Sequence, residues 1–231
     1  FFIAWCLGAY SSHHRLVTMK SKPDEENLMA VLYGGRDGYH LTPNGLALQL
    51  YGFGYALAPD AAAYESYWSK DKGYHQSPTG SNTILPGYEH GEVTLHAMEP
   101  RVPDGCFVNA RSLNPSINMA DMEAAEKRRV VAMVKTAPDK GYYVDIFRSN
   151  QADNDYLFHN VGQSLRLETV DGQVLPSVSA DKLNPSYHYG YEWFTRLRRT
   201  DCTDDFRAVW DITSGDSPLS MRMWMAGADG R

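Results

Sequence analysis

The residues able to do chemistry gather between positions 38 and 83. His40 sits in Gly38-Tyr39-His40-Leu41-Thr42-Pro43-Asn44-Gly45, directly before the apolar run Leu46-Ala47-Leu48-Gln49-Leu50-Tyr51. An imidazole there suits proton exchange or polarisation of a carboxylate, because its pKa lies near working pH. The plainer alternative is a strand-end histidine bonded to a neighbouring loop. Asp60 follows, then Tyr67, Tyr74 and His75, then Ser81-Asn82-Thr83. Arg36, Lys70 and Lys72 are the nearest positive charges; they either attract an anionic group through charge-assisted bonds or lie on a solvated face. Asp60 and Glu65 are the carboxylates that a hydrolytic acid and base pair would use, and such a pair must lie close together in space. Farther on, Tyr187, Tyr189, Tyr191 and Trp193 fall on one face if their segment is extended, as a stacking platform or as ordinary sheet packing.

The elements that must position these groups read as strands. Arg15 to Lys20 and Asn27 to Tyr33 are extended-looking and joined by Ser21-Lys22-Pro23-Asp24-Glu25-Glu26, in which Pro-Asp supplies turn chemistry. Leu46 to Tyr51 and Tyr55 to Ala58 flank Gly52-Phe53-Gly54, where glycine permits the positive φ of a tight hairpin. Val93 to Met98, Val130 to Lys135, Tyr142 to Arg148, Leu165 to Thr169, Phe206 to Ile212 and Leu219 to Met225 are short and bounded by Gly, Pro, Asp or Asn. Asp139-Lys140-Gly141 reads as another hairpin turn. Met119 to Arg129, rich in Ala, Glu, Lys and Arg, predicts one short helix. The expected fold is therefore all-β: an antiparallel two-sheet β-sandwich, Greek-key-like, with at most one short helix. Residues 1–231 are expected to form a single domain of this kind.

With 43 % hydrophobic and 22 % charged residues, the composition is that of a globular chain able to bury a core. No apolar run is long enough to span a membrane. A net charge of -6 without clustered Lys and Arg argues against a nucleic-acid partner. Cys6, Cys106 and Cys202 lie far apart without CxxC spacing, so neither a zinc knuckle nor a dense disulfide framework is indicated; one Cys106–Cys202 bridge stays open. The apolar start from Phe1 to Gly8 lacks a basic n-region, and both ends read as cuts inside a longer protein.

Two stretches resemble the heparinase II/III-like polysaccharide lyases. The first runs from Gly38 to Gly52, through Pro59-Asp60, to Ser81-Asn82-Thr83-Ile84-Leu85-Pro86-Gly87. The second, more specific, is Tyr142-Tyr143-Val144-Asp145-Ile146-Phe147-Arg148 followed by Asp155-Tyr156-Leu157-Phe158-His159. The resemblance implies a β-sandwich that follows a helical toroid, with the toroid absent from this chain and the active site in the cleft between them. It implies β-elimination on an anionic polysaccharide containing uronic acid, a glycosaminoglycan or an alginate-like polymer, and a secreted or periplasmic protein. On it, His40 and Tyr67 are the catalytic candidates, and Tyr39, Asp60, Tyr74, His75 and Asn82 the substrate-binding ones. The resemblance also implies zinc held by two histidines and an aspartate. Here those positions read Thr42, Asp60 and Ser81, and hydroxyls are poor zinc ligands. No metal or other cofactor is therefore expected, with Asp60 capping a turn or bonding Ser81, Asn82 or Thr83; His75 is the one nearby imidazole that could substitute. The alternative is a non-catalytic carbohydrate-binding or structural module.

Overall fold

The computed structural model describes residues 2–5, 8–11, 16–20, 28–33, 46–60, 68–75, 78–86, 107–114, 117–124, 127–137, 140–150, 154–181, 183 and 190–227. The chain divides into two compact units: Phe1–His159 with Asn184–Trp193, and Asn160–Leu183 with Phe194–Arg231.

The first unit holds a six-stranded antiparallel sheet in sequential order: β1 (Phe2–Trp5), β2 (Gly8–Ser11), β3 (Leu16–Lys20), β4 (Met29–Tyr33), β5 (Ala47–Gly52) and β6 (Tyr55–Ala58). Next come β7 (Ile84–Pro86), β8 (Phe107–Asn114), β9 (Ile117–Ala124), β10 (Lys127–Ala137), β11 (Lys140–Ser149) and β12 (Asn154–Tyr156). Strands β8 to β11 form a second antiparallel sheet, and β7 pairs with β12. Within both larger sheets each strand lies beside its sequence neighbour, a meander order.

The hairpins expected from turn chemistry form. β3 pairs with β4 from Leu16↔Tyr33 to Lys20↔Met29. β5 turns into β6 through Phe53 (φ 54°) and Gly54 (φ 80°), the two consecutive positive values of a two-residue hairpin turn that twists with its strands. Gly141 is required by close approach: a Cβ there would stand 2.5 Å from the Val134 carbonyl oxygen and 2.7 Å from Leu28 Cδ1.

The two larger sheets supply one core. Ala30 and Leu32 of β4, Leu48 and Leu50 of β5, Ala120 and Met122 of β9, and Val131 and Met133 of β10 are all buried, at the period of two that puts alternate strand residues on one face. The sheets are also tied by polar bonds. Tyr143 Oη on β11 donates to the carbonyl oxygens of Met29 on β4 (3.0 Å) and Tyr51 on β5 (2.6 Å).

The helix expected over Met119–Arg129 does not form; those residues belong to β9 and β10. Local helix propensity is a weak preference, and here tertiary burial overrides it. Ala120 and Met122 pack inward while Arg128 is exposed and forks onto Asp121 Oδ1 (2.9 Å) and Oδ2 (2.6 Å), a cross-strand charge pair that a strand register supplies. The helical structure among the described residues is one turn, Lys72–His75, and the 3-10 turns Pro78–Gly80 and Tyr191–Trp193. The last of these corrects the extended reading of the aromatic run. At Tyr191–Trp193 the stripe breaks, with Tyr191 buried on Asp155 Oδ2 (2.6 Å) and Trp193 40 % exposed. Residues 187–189 lie outside the described set.

The second unit contains an antiparallel sheet of β13 (Ser164–Thr169), β16 (Phe206–Ile212) and β17 (Leu219–Met225) in that order, and a short pair of β14 (Val178–Ser179) with β15 (Arg198–Arg199). Val209, Ala208 and Ile212 are its buried centre. The whole described chain is all-β and antiparallel, as expected. Cys202 carries a free thiol.

Candidate functional site

The motif Ser81-Asn82-Thr83 lies at the polar centre of the first unit. Ser81, Asn82 and Thr83 are 2 %, 0 % and 1 % exposed. A buried amide must satisfy its donors and acceptors. Asn82 Nδ2 donates to the carbonyl oxygens of Leu48 (2.9 Å), Ala58 (3.1 Å) and Pro59 (3.1 Å), binding the ends of β5 and β6 to the loop. With Nδ2 committed to carbonyls, Oδ1 can only accept. It receives the His159 backbone N–H (2.5 Å) and faces His159 Nδ1 at 3.1 Å, which sets the ring's Nδ1–H tautomer. Asn82 thus positions His159.

Arg129 supports the same loop from below. Wholly buried, it donates from Nε and Nη2 to the two Asp145 carboxylate oxygens (2.9 and 2.7 Å), and from Nη1 to the carbonyl oxygens of Leu46 and Asn82, both at 2.6 Å. Its guanidinium carbon lies 4.5 Å from the centre of the Phe147 ring. Tyr156 Oη donates to Asp145 Oδ2 (2.9 Å), and burial, with Asp145 adding to it, pushes that phenol's pKa up. Lys127 Nζ donates to the Ile84 carbonyl oxygen (3.1 Å), and burial lowers its pKa to about 8. Asp145 and Arg129 lie on facing strands at Val131↔Asp145 and Arg129↔Phe147, so β-pairing delivers the partners.

Asp60 is half-buried beside this centre. Its Oδ2 accepts from Gln49 Nε2 (2.8 Å), and Gln49 Oε1 in turn accepts from Tyr51 Oη (2.5 Å). Asp60 Oδ1 is buried without a hydrogen bond of normal geometry, although the Asn82 backbone and Ser81 hydroxyl are near enough to draw its pKa down. Burial outweighs them and the Gln49 bond, and the pKa is raised. Its well-formed bond is to Gln49, with the Asn82 backbone and the Ser81 hydroxyl, two of the partners that the sequence suggested, beside the carboxylate.

Tyr74 and His75 sit on the single helical turn. Their ring centres are 5.6 Å apart, edge to face, and Tyr74 lies 6.3 Å from the His159 ring. His75 Nε2 meets Asp71 Oδ2 at 3.0 Å, the i,i+4 pairing that one helical turn places on one face. Burial raises the Tyr74 pKa and lowers that of His159, a backbone hydrogen bond with Thr79 opposing the latter. The fold thus links Tyr74 and Asn82 through His159, with His75 against Tyr74 and Asp60 near the Asn82 backbone. His40, Tyr67 and Tyr39 lie outside the described residues, as do Thr42 and Arg36. Sequence reasoning misses His159 as a site residue; its one signal is the end position of Asp155-Tyr156-Leu157-Phe158-His159.

No family model matches the chain. In sequence the chain is similar to a polysaccharide lyase, the class that its motifs imply. The relative is an endo-acting ulvan lyase of Formosa agariphila, 27 % identical over an alignment of 203 residues that covers 73 % of this chain and 24 % of the lyase. The chain therefore spans about a quarter of the curated relative it matches. Among solved structures it is similar to heparinase III, with a TM-score of 0.46 and 8 % identity over 93 % of this chain and 33 % of that one. It is also similar to the heparan sulfate lyase HepC of Pedobacter heparinus, with a TM-score of 0.44 and 11 % identity over 96 % and 34 %. No helix among the described residues is long and apolar enough to cross a membrane.

Proposed function

We propose that this chain is the β portion of a lyase that cleaves an anionic polysaccharide containing uronic acid, ulvan-like or glycosaminoglycan-like, by β-elimination. The similarity to an endo-acting ulvan lyase carries this reading. In the reaction a base removes the proton α to the uronate carboxylate, the C–H electrons form the new double bond, and the glycosidic oxygen leaves and is protonated by an acid. His40 and Tyr67 are proposed for the proton transfers, with Tyr39, Asp60, Tyr74 and His75 lining the substrate path. Asn82, buried and saturated with backbone bonds, serves by holding His159 and the end of β6 in place. A preceding helical domain supplies the rest of the cleft, and the protein works in the periplasm or outside the cell.

The reading carries no zinc at the position the family resemblance implies. Among the described residues the donors there are one carboxylate, with Oδ2 already held by Gln49, and a buried Ser81 hydroxyl; this oxygen set does not suit a metal that prefers imidazole and thiolate. The second reading, a carbohydrate-binding module without catalysis, is favoured by Thr42 and Ser81 standing where the resemblance implies histidines.

The test is to incubate the protein with a panel of uronate polymers while following the ultraviolet absorbance of the unsaturated uronate. Absorbance that grows with the native chain and falls by about 10²-fold or more in His40→Ala supports the lyase. Binding without any absorbance on the whole panel supports the module.

A further inference from the structure

We propose that the outward face of β17 in the second unit is a binding subsite for an acidic sugar ring of a polysaccharide, in which the Trp224 indole stacks on the ring and the Arg222 guanidinium holds its carboxylate or sulfate. Exposure alternates along this strand: Ser220, Arg222 and Trp224 are open to solvent, and the methionines between them lie on the other side of the sheet. Trp224 is 62 % exposed, and among the described residues its indole has no ring, cation or hydrogen-bond partner. Tryptophan is highly buried on average, so an indole left open on a strand face is an unusual feature. The Arg222 guanidinium likewise meets no carboxylate among the described residues.

Strand register puts positive charge beside the indole. Arg207 on β16 is the direct cross-strand partner of Trp224. Arg222 precedes Trp224 by two residues on the same face, a rise of about 7 Å along the strand. The carboxylates of this face are already taken. Asp211 accepts from Ser164 (3.0 Å), Ser220 (3.1 Å) and Arg166 (2.5 Å), and Glu168 accepts from Arg166 and Arg207, both at 2.7 Å. Three guanidinium groups on the outward rows of these strands thus stand against two carboxylates, in a chain whose net charge is -6. Arg222 is the one left over, and Arg207, held in place by Glu168, adds its charge beside the indole. The bonded network fixes the floor of the face, which confines the ordering cost of binding to two side chains.

An indole alone would suit any apolar partner. A planar guanidinium fork two residues away adds the demand for an acid with paired oxygens on the same ligand, within reach of one ring. A uronate or sulfated pyranose meets both demands, with an apolar C–H face and an acidic edge. The ligand class rests on the lyase reading above; the subsite adds a place in the second unit, apart from the residues proposed for elimination, at which the polymer is held.

The test measures binding of the whole chain to ulvan, heparan sulfate, alginate, neutral dextran and polyglutamate by affinity electrophoresis, with elimination followed separately by absorbance. Trp224→Ala is expected to weaken binding of the anionic polysaccharides at least about ten-fold, and Trp224→Phe to retain most of it. Arg222→Ala is expected to weaken binding and flatten its salt dependence, and Arg222→Glu to weaken it further. Both side chains are exposed, so each variant should keep the Tm of the native chain. Unchanged binding in Trp224→Ala and Arg222→Glu would overturn the subsite while leaving the lyase reading to its own absorbance signal. Equal binding of dextran would overturn the acidic character of the ligand, and polyglutamate bound more tightly than every polysaccharide would assign the face to an acidic peptide instead. Binding that depends on Trp224 without elimination would support the subsite and reject the lyase. A chain that binds no anionic polysaccharide would overturn the subsite.

Discussion

Two charged clusters in this chain use the same residue types in opposite surroundings. In the first unit Arg129 is wholly buried, and its donors reach Asp145 on the next strand and carbonyls of Leu46 and Asn82, far away in sequence. In the second unit Arg166 donates to Glu168 (2.7 Å) and Asp211 (2.5 Å), and Arg207 to Glu168 (2.7 Å), along the face of a three-stranded sheet with Arg166 39 % exposed. The first cluster organises a site, because a buried charge must bond every available donor and so fastens whatever backbone is near. The second reinforces pairs that the strand register already brings together, such as Glu168↔Arg207, and water competes for the Arg166 side of it.

Breaking the buried cluster should have the largest effect. Arg129→Met takes the guanidinium from half-buried Asp145, which keeps the Tyr156 hydroxyl alone, and frees the carbonyls of Leu46 and Asn82; it is expected to destabilise the first unit by about 3–5 kcal/mol, read as a lower midpoint in denaturant. An unchanged midpoint would mean that the guanidinium contributes nothing net. Asn82→Ala should follow at roughly 3 kcal/mol, since the carbonyls of Leu48, Ala58 and Pro59 lose a donor and the His159 N–H an acceptor.

The pH dependence sharpens the comparison. His159 has its pKa lowered by burial from 6.5, so the unfolded chain takes up this proton first as pH falls. Its contribution is complete above about pH 6.5 and is lost as pH drops below that value; His159→Gln should flatten the loss in thermal melts. For Lys127, lowered from 10.5 to about 8, the unfolded chain binds the extra proton between those values. Stability should therefore rise with pH across that window, and Lys127→Met should abolish the rise. The smallest expected effect is that of Arg166→Ala, whose change in Tm should be slight and should vanish in high salt.

The same contrast explains what was legible in the sequence. Hairpins written in local turn chemistry, such as Gly52-Phe53-Gly54 between apolar runs, form where expected, because the turn residues themselves dictate the backbone. Met119–Arg129 reads as helix because Ala, Glu, Lys and Arg carry high helix propensity. Arg129 instead enters the core on partners 16, 47 and 83 positions away, and Lys127 on one 43 away, which no local pattern encodes. At the site, the Ser81-Asn82-Thr83 motif was visible as a motif, but its tie to His159 spans 77 positions and follows from the buried amide's need for partners.

The most direct test of the central claim is proton NMR of the products released from an ulvan-type or glycosaminoglycan polymer. Elimination predicts a vinylic proton signal from a new double bond at the non-reducing end, appearing in step with chain cleavage. Shortened chains without that signal would mean hydrolysis, and an intact polymer would mean binding alone; either result would contradict the account.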